Sequence, residues 1–205
     1  MQPAVFKGKL RPRLTAAARR AQIVEAAAAL AVEHRHLPVP LPALSASLGV
    51  SKALVYARFP TQFDLFNAVL AQAFAQLAQA GLDEASRRPG IDVAARDCAL
   101  IYFDHVAARG PLIHIVLRDR YMAGQVDVAN RAFRDRIVLR LARQARRALN
   151  LAPRDVIAAA NMLMAIPEEL GRLVFAGDMP LASARALCGL LVTSGVRAFE
   201  PASGG

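Results

Sequence analysis

An all-α fold is predicted by three features of the sequence. Apolar residues recur at helical spacing along nearly the whole chain, no sustained period-two alternation is present, and prolines and glycines punctuate the periodic stretches. The 205 residues carry 26 Lys and Arg against 16 Asp and Glu, a net charge of +10, with 55% hydrophobic and 20% charged residues. That balance fits a folded chain and excludes a disordered one.

The first helix is expected from a Thr15 cap to about Glu33, with Ile23, Ala27, Leu30 and Ala31 on its buried stripe. Pro38, Pro40 and Pro42 then force an extended connection. A short helix follows over about Leu41 to Leu48, where Pro42 is tolerable because the first turn has no internal N–H partner to lose. Gly49 permits a tight turn, Ser51 caps another short helix to about Arg58, and Phe59-Pro60 ends it. A long helix is expected from Gln62 to Gly81. Further helices are predicted at 91–108, 112–122, 126–149, 154–176 and 180–199, separated by Pro89-Gly90, Gly110-Pro111, Gly124, Pro153 and Gly177 to Pro180. Pro167 inside the penultimate helix should kink or split it.

Several classes are set aside. Cys98 and Cys188 stand far apart and outside any C-x-x-C pair, which argues against a disulfide framework or zinc site and fits a reducing cytoplasm. The first twenty residues hold basic side chains but no apolar run, so no secretory signal is expected. The stretch Leu65 to Leu82 is broken by Asn67, Gln72, Gln76 and Gln79, as in an amphipathic helix rather than a membrane span. No nucleophile–base–acid pattern, phosphate-binding glycine loop or H-E-x-x-H pair is present, so no catalytic residue and no cofactor is assigned. His34 and His36 lack nearby acids or thiols for a metal site.

The positive charge is concentrated. Residues 1–60 hold nine basic side chains against Glu25 and Glu33, a balance of +7; the rest of the chain holds 17 against 14. A basic head on a nearly balanced body suggests that the head meets a polyanion, although a solvated tail gives the same count. Within the head, Leu44, Leu48, Val50 and Val55 fall where a helix-turn-helix needs apolar contacts, and Ser45 is small enough for close approach. Ser51 caps the second helix and leaves its N-terminal N–H groups and positive dipole end available to a phosphate or a base edge, while Lys52, Tyr56 and Arg58 project as donors.

The runs Gln22-Ile23-Val24-Glu25-Ala26-Ala27, Leu48 to Phe59 and Asp64-Leu65-Phe66 resemble the DNA-binding head of the TetR family, over about residues 19–70. The resemblance implies a three-helix head followed by a longer domain that dimerises and holds a small-molecule pocket. It divides the chain into a basic flexible arm (1–14), a helix-turn-helix domain (15–61) and a ligand-binding and dimerisation domain (62–205). By position, Ser51, Lys52 and Ala53 would begin the recognition helix in the major groove of double-stranded DNA, Tyr56 would meet a phosphate, and Arg58 a phosphate or a base. Lys7, Lys9, Arg11 and Arg13 would either enter the minor groove or remain a solvated arm. Two departures stand out: Pro40 replaces the usual Thr or Ser cap, and Thr61 or Gln62, followed by Phe63, replaces a common Lys and acid.

In the body, Cys98, Tyr102 and His105 share one helix face, so the phenol and imidazole are either pocket groups or core residues satisfied by carbonyls. His114, Tyr121, Met122, Phe133, Met162 and Met164 are further pocket candidates, with packing as the alternative. The stripe Arg136, Arg140, Arg143 and Arg147 reads as a solvated face, or as a site for an acidic partner. Small residues on the last two helices, among them Ala158, Gly171, Gly189 and Gly195, suit close packing, which the resemblance assigns to a homodimer. The function implied is a repressor released from a palindromic operator by an unidentified small-molecule effector. The alternative is an all-α architectural or protein-interaction module that kept the fold without specific operator binding.

Overall fold

The computed structural model describes residues 14–149 and 152–199. They form ten α-helices: α1 (Ala16–His34), α2 (Leu41–Leu48), α3 (Lys52–Arg58), α4 (Gln62–Gln79), α5 (Leu82–Ala85), α6 (Ile91–Arg109), α7 (Leu112–Arg118), α8 (Val128–Leu149), α9 (Pro153–Ala176) and α10 (Leu181–Arg197). A single 3₁₀ turn, Arg120–Met122, follows α7, and no strand occurs among the described residues. The arm carrying Lys7, Lys9, Arg11 and Arg13 lies outside the described residues.

Local chemistry sets the head. Thr15 caps α1 by accepting from the Ala18 N–H at 3.1 Å, and the chain leaves α1 through Arg35 in a left-handed conformation. Pro40 precedes α2 with no side-chain cap, as its chemistry requires. Ile23, Ala27, Leu44 and Val55 are buried together with Leu65, Phe66 and Val69 of α4. Because α4 belongs to both ends of this core, the same cluster continues to Tyr102 and Val106 of α6 and Val116 of α7.

The body is organised around α6, which packs against both α9 and α10. Phe103 is fully buried there beside Leu170, Cys188 and Val192. Four expectations need correction. The helix expected over 112–122 stops at Arg118, because Asp119 is extended and its carboxylate accepts from backbone N–H groups of Leu37 and Tyr121. Of the kink or split expected at Pro167, the split does not occur: α9 runs unbroken from Pro153 to Ala176. The proline's missing N–H removes only one helical bond, and Leu170 anchors the following turn against α6. The short α5 is absent from the sequence reading; Gly81, at φ +90°, breaks the chain before it, and Leu82 and Ala85 bury its inner face. The arginine stripe of α8 is solvated only in part. Arg140 donates to the Asp83 carboxylate (3.0 Å) and the Ser86 hydroxyl (2.6 Å), and Arg136 to Asp83 (3.3 Å), which holds the Asp83 carboxyl below its usual range.

Candidate DNA-reading face and ligand cavity

The turn between α2 and α3 follows from three residues. Gly49 sits at φ +61° and ψ +38°, a left-handed conformation that costs a side-chain-bearing residue about 1–2 kcal/mol. Its N–H and that of Val50 return to the carbonyls of Ala46 (3.1 Å) and Ser45 (3.0 Å), closing α2. Ser51 then caps α3, its hydroxyl accepting from Leu54 N–H at 3.3 Å. Ser45 is buried on α2.

Val55 faces the core, so the opposite side of α3 is presented outward. Ser51, Lys52, Ala53, Tyr56, Arg58 and Thr61 are all exposed. Lys52 and Tyr56 stand one turn apart on one face, with Tyr56 49% exposed, which is unusual for an aromatic and leaves its hydroxyl free to meet a partner. Arg58 lies two residues further round the helix. Thr61 has a local duty: it caps α4 in a reciprocal capping box, accepting from Asp64 N–H (3.1 Å) while Asp64 accepts from Thr61 N–H (3.0 Å). Gln62 grips the Val39 backbone at both ends, N–H and carbonyl, each at 3.0 Å. Arg20 stacks over Phe59, 4.8 Å from the ring centre, so part of the head's charge braces the end of α3.

Below the head lies a cavity of about 640 Å³ among α4, α6, α7, α8 and α9. Tyr102, His114, Phe133 and Met164 line it, as four of the eight sequence candidates. Phe133 stacks on Phe74 with ring centres 5.0 Å apart. The other four, His105, Tyr121, Met122 and Met162, are elsewhere. His105 is not on the wall; its Nε2 is buried without a partner, and burial pushes the imidazole below its ordinary value. Tyr121 stacks on Phe63 of α4, with ring centres 4.6 Å apart. Met122 is buried in the core and Met162 is 74% exposed, so neither faces the cavity.

The cavity's main polar feature, Glu168, is one that the sequence reading missed. Tyr102 donates to its Oε2, and His114 Nδ1 stands 4.0 Å from the same oxygen. Burial raises the Glu168 carboxyl above its ordinary 4.5 and the Tyr102 phenol well above 10.0. Burial also lifts the Cys98 thiol on the same wall to about 12, keeping it neutral and unreactive. Because the folded state binds a proton on Glu168 more readily than the unfolded chain, its ionisation opposes folding as pH rises from 4.5 through the raised value. Glu168→Gln is therefore expected to raise the melting temperature at neutral pH. The advantage should shrink on acidification toward pH 4.5, as parallel thermal melts across that range would register.

One contact ties the cavity wall to the head, and a second set joins α4 to the segment that leads into α8. Helix α7, which contributes Ile113, His114 and Leu117 to the wall, ends at Asp119, whose Oδ2 accepts from Leu37 N–H at 2.9 Å. Asn67 of α4 donates to the Gln125 carbonyl (2.8 Å) and accepts from Asp127 N–H (2.8 Å).

No protein-family model and no curated protein matches the sequence. Solved structures do match. A TetR-like transcriptional regulator from Rhodococcus sp. RHA1 superposes with a TM-score of 0.66 at 20% identity, covering 90% of this chain and 99% of that one. The TetR-family regulator PfmR from Thermus thermophilus gives 0.61 at 23% identity, covering 84% and 97%. The TetR-like regulator LfrR from Mycobacterium smegmatis, solved in complex with proflavine, gives 0.54 at 20% identity, covering 86% and 94%. The chain therefore has the fold of TetR-like transcriptional regulators: a helix-turn-helix head on a helical body.

Proposed function

We propose that this protein is a homodimeric DNA-binding transcriptional regulator, a repressor released from a palindromic operator by a small-molecule effector. The observation that carries the reading is α3, which turns Lys52 and Tyr56 outward from a Ser51-capped N-terminus in the same chain as a largely apolar cavity. The likeness to TetR-like regulators, one of them solved with proflavine, supports both halves. A dimer suits the head, because one short helix reads few bases while two can address half-sites about 34 Å apart. Exposed apolar side chains on α9 and α10 (Ile157, Met162, Leu181 and Leu190) supply a face that a second copy would cover. Among the described residues no single helix is long and apolar enough to cross a membrane, and a regulator of this kind works in the cytoplasm beside its DNA.

The switch follows from the contacts at the cavity wall. A ligand that moves α7 also moves Asp119, and with it the Leu37 backbone that leads into α2. If the ligand prefers the arrangement in which the two heads are wrongly spaced, DNA and ligand oppose each other equally.

A salt-titrated binding assay tests the reading. A specific regulator prefers one palindrome over random duplex, with affinity falling steeply as salt rises. Lys52→Ala and Tyr56→Phe are each expected to weaken operator binding by about tenfold, the loss of one charge-assisted or phosphate contact, with dimerisation unchanged. Wild-type binding by both variants would remove α3 as the reader. The uncapped Pro40 start of α2 favours one competitor, an architectural binder that would show the salt slope without sequence preference.

A further inference from the structure

The wall of the cavity contains a carboxylate with unmet acceptor capacity. Oε2 of Glu168 accepts from Tyr102, but Oε1 is buried and has no hydrogen-bond partner. His114 Nδ1, at 4.0 Å from Oε2, is too far to donate. Elsewhere the wall is dominated by apolar groups such as Phe74, Leu77, Phe133, Ile137 and Met164. The guanidiniums that border the cavity do not serve this carboxylate. Arg172 is held in a fork by Glu169 (2.8 and 2.6 Å), and Arg134 by Asp135 (2.9 and 2.7 Å). Arg35 and Arg118 also border it, and both are exposed to solvent.

An acceptor buried without a donor is costly, and a ligand that supplies the donor relieves that cost on binding. A charged donor relieves more than a neutral one, because the hydrogen bond is charge-assisted and the surroundings are of low polarity. A ligand carboxylate would instead bring a like charge to Glu168. We infer that the cavity selects an apolar, amine-bearing ligand, its body against Phe74, Phe133 and Ile137 and its ammonium donating to the Glu168 carboxylate. Tyr102 is the positioning residue that fixes the other carboxylate oxygen. The inference rests on the reading of this cavity as the effector site and names the chemical class of effector.

Displacement of the uncharged dye Nile red from the full-length protein tests it, using three probes of one shape: diphenylpropylamine, diphenylpropanol and diphenylpropanoic acid. The amine is expected to displace the dye at about tenfold lower concentration than the alcohol, with the acid weakest. In Glu168→Gln that preference should disappear while the alcohol is unaffected. If the alcohol or acid matches the amine in the wild type while displacing the dye, the cavity stands as a ligand site and the amine assignment falls. An anion preference would transfer selection to the arginine border. If the amine preference survives in Glu168→Gln, Glu168 is not its partner and the inference is overturned. Failure of the dye and all three probes to bind would remove the cavity reading itself, and the inference with it.

Discussion

Gly110→Ala is expected to destabilise the protein by about 3 kcal/mol, a large share of the roughly 5–15 kcal/mol that holds a domain folded. Gly110 joins α6 to α7 at φ +73° and ψ 179°, a conformation open essentially only to glycine and worth about 1–3 kcal/mol of strain to any other residue. A Cβ there would also come within 2.7 Å of Val32 Cγ1 and 3.1 Å of Phe175, adding about 1–3 kcal/mol of overpacking. The contacts involve α1 from the head and α9 from the body, so the junction cannot relax on one side alone. Denaturant unfolding of the two proteins measures the difference. A loss below about 1 kcal/mol would mean that Val32 and Phe175 yield more freely than their packing implies.

Ala53→Glu is expected to reduce operator affinity by about a hundredfold or more without destabilising the fold. Ala53 is exposed in the first turn of α3, where a carboxylate is favourable to the helix dipole and meets no buried neighbour. Against DNA the same charge would face phosphates and cancel the attraction from Lys52 beside it, and like-charge juxtaposition of this kind costs several kcal/mol. Fluorescence anisotropy with an operator duplex, alongside a thermal melt, separates the two effects. Retained affinity with an unchanged melt would place α3 away from the DNA. Reduced stability would instead mean that this turn is packed, contrary to its exposure.

The parts of the molecule legible in the sequence are those governed by neighbours along the chain. Thr15 and Ser51 mark helix starts because a hydroxyl can reach an N–H three residues on. Gly49 marks a turn because its backbone alone accepts a left-handed conformation cheaply. Tyr102 could be placed on an inward face, since helical period and apolar context agree. His105 and Tyr121 share that apolar context, yet the cavity passes them by. No periodicity tells which of two adjoining inward residues meets a void and which meets a neighbouring helix. Glu168 carried only a faint signal, an acid following Ile166 and Pro167 in an apolar helix.

From the sequence alone came the helical class, most helix boundaries and the outward set on α3, because caps, turns and amphipathic stripes are short-range consequences of side-chain chemistry. Tertiary structure alone decided that Asp119 ends α7 by reaching Leu37, that Arg140 is engaged by Asp83 and Ser86, and that Glu168 meets Tyr102 inside a cavity. Those pairs are separated by 82, 57, 54 and 66 residues, and their energies depend on which faces of distant helices come together. That choice belongs to packing, which distributes buried volume over the whole chain and leaves no local mark at either partner.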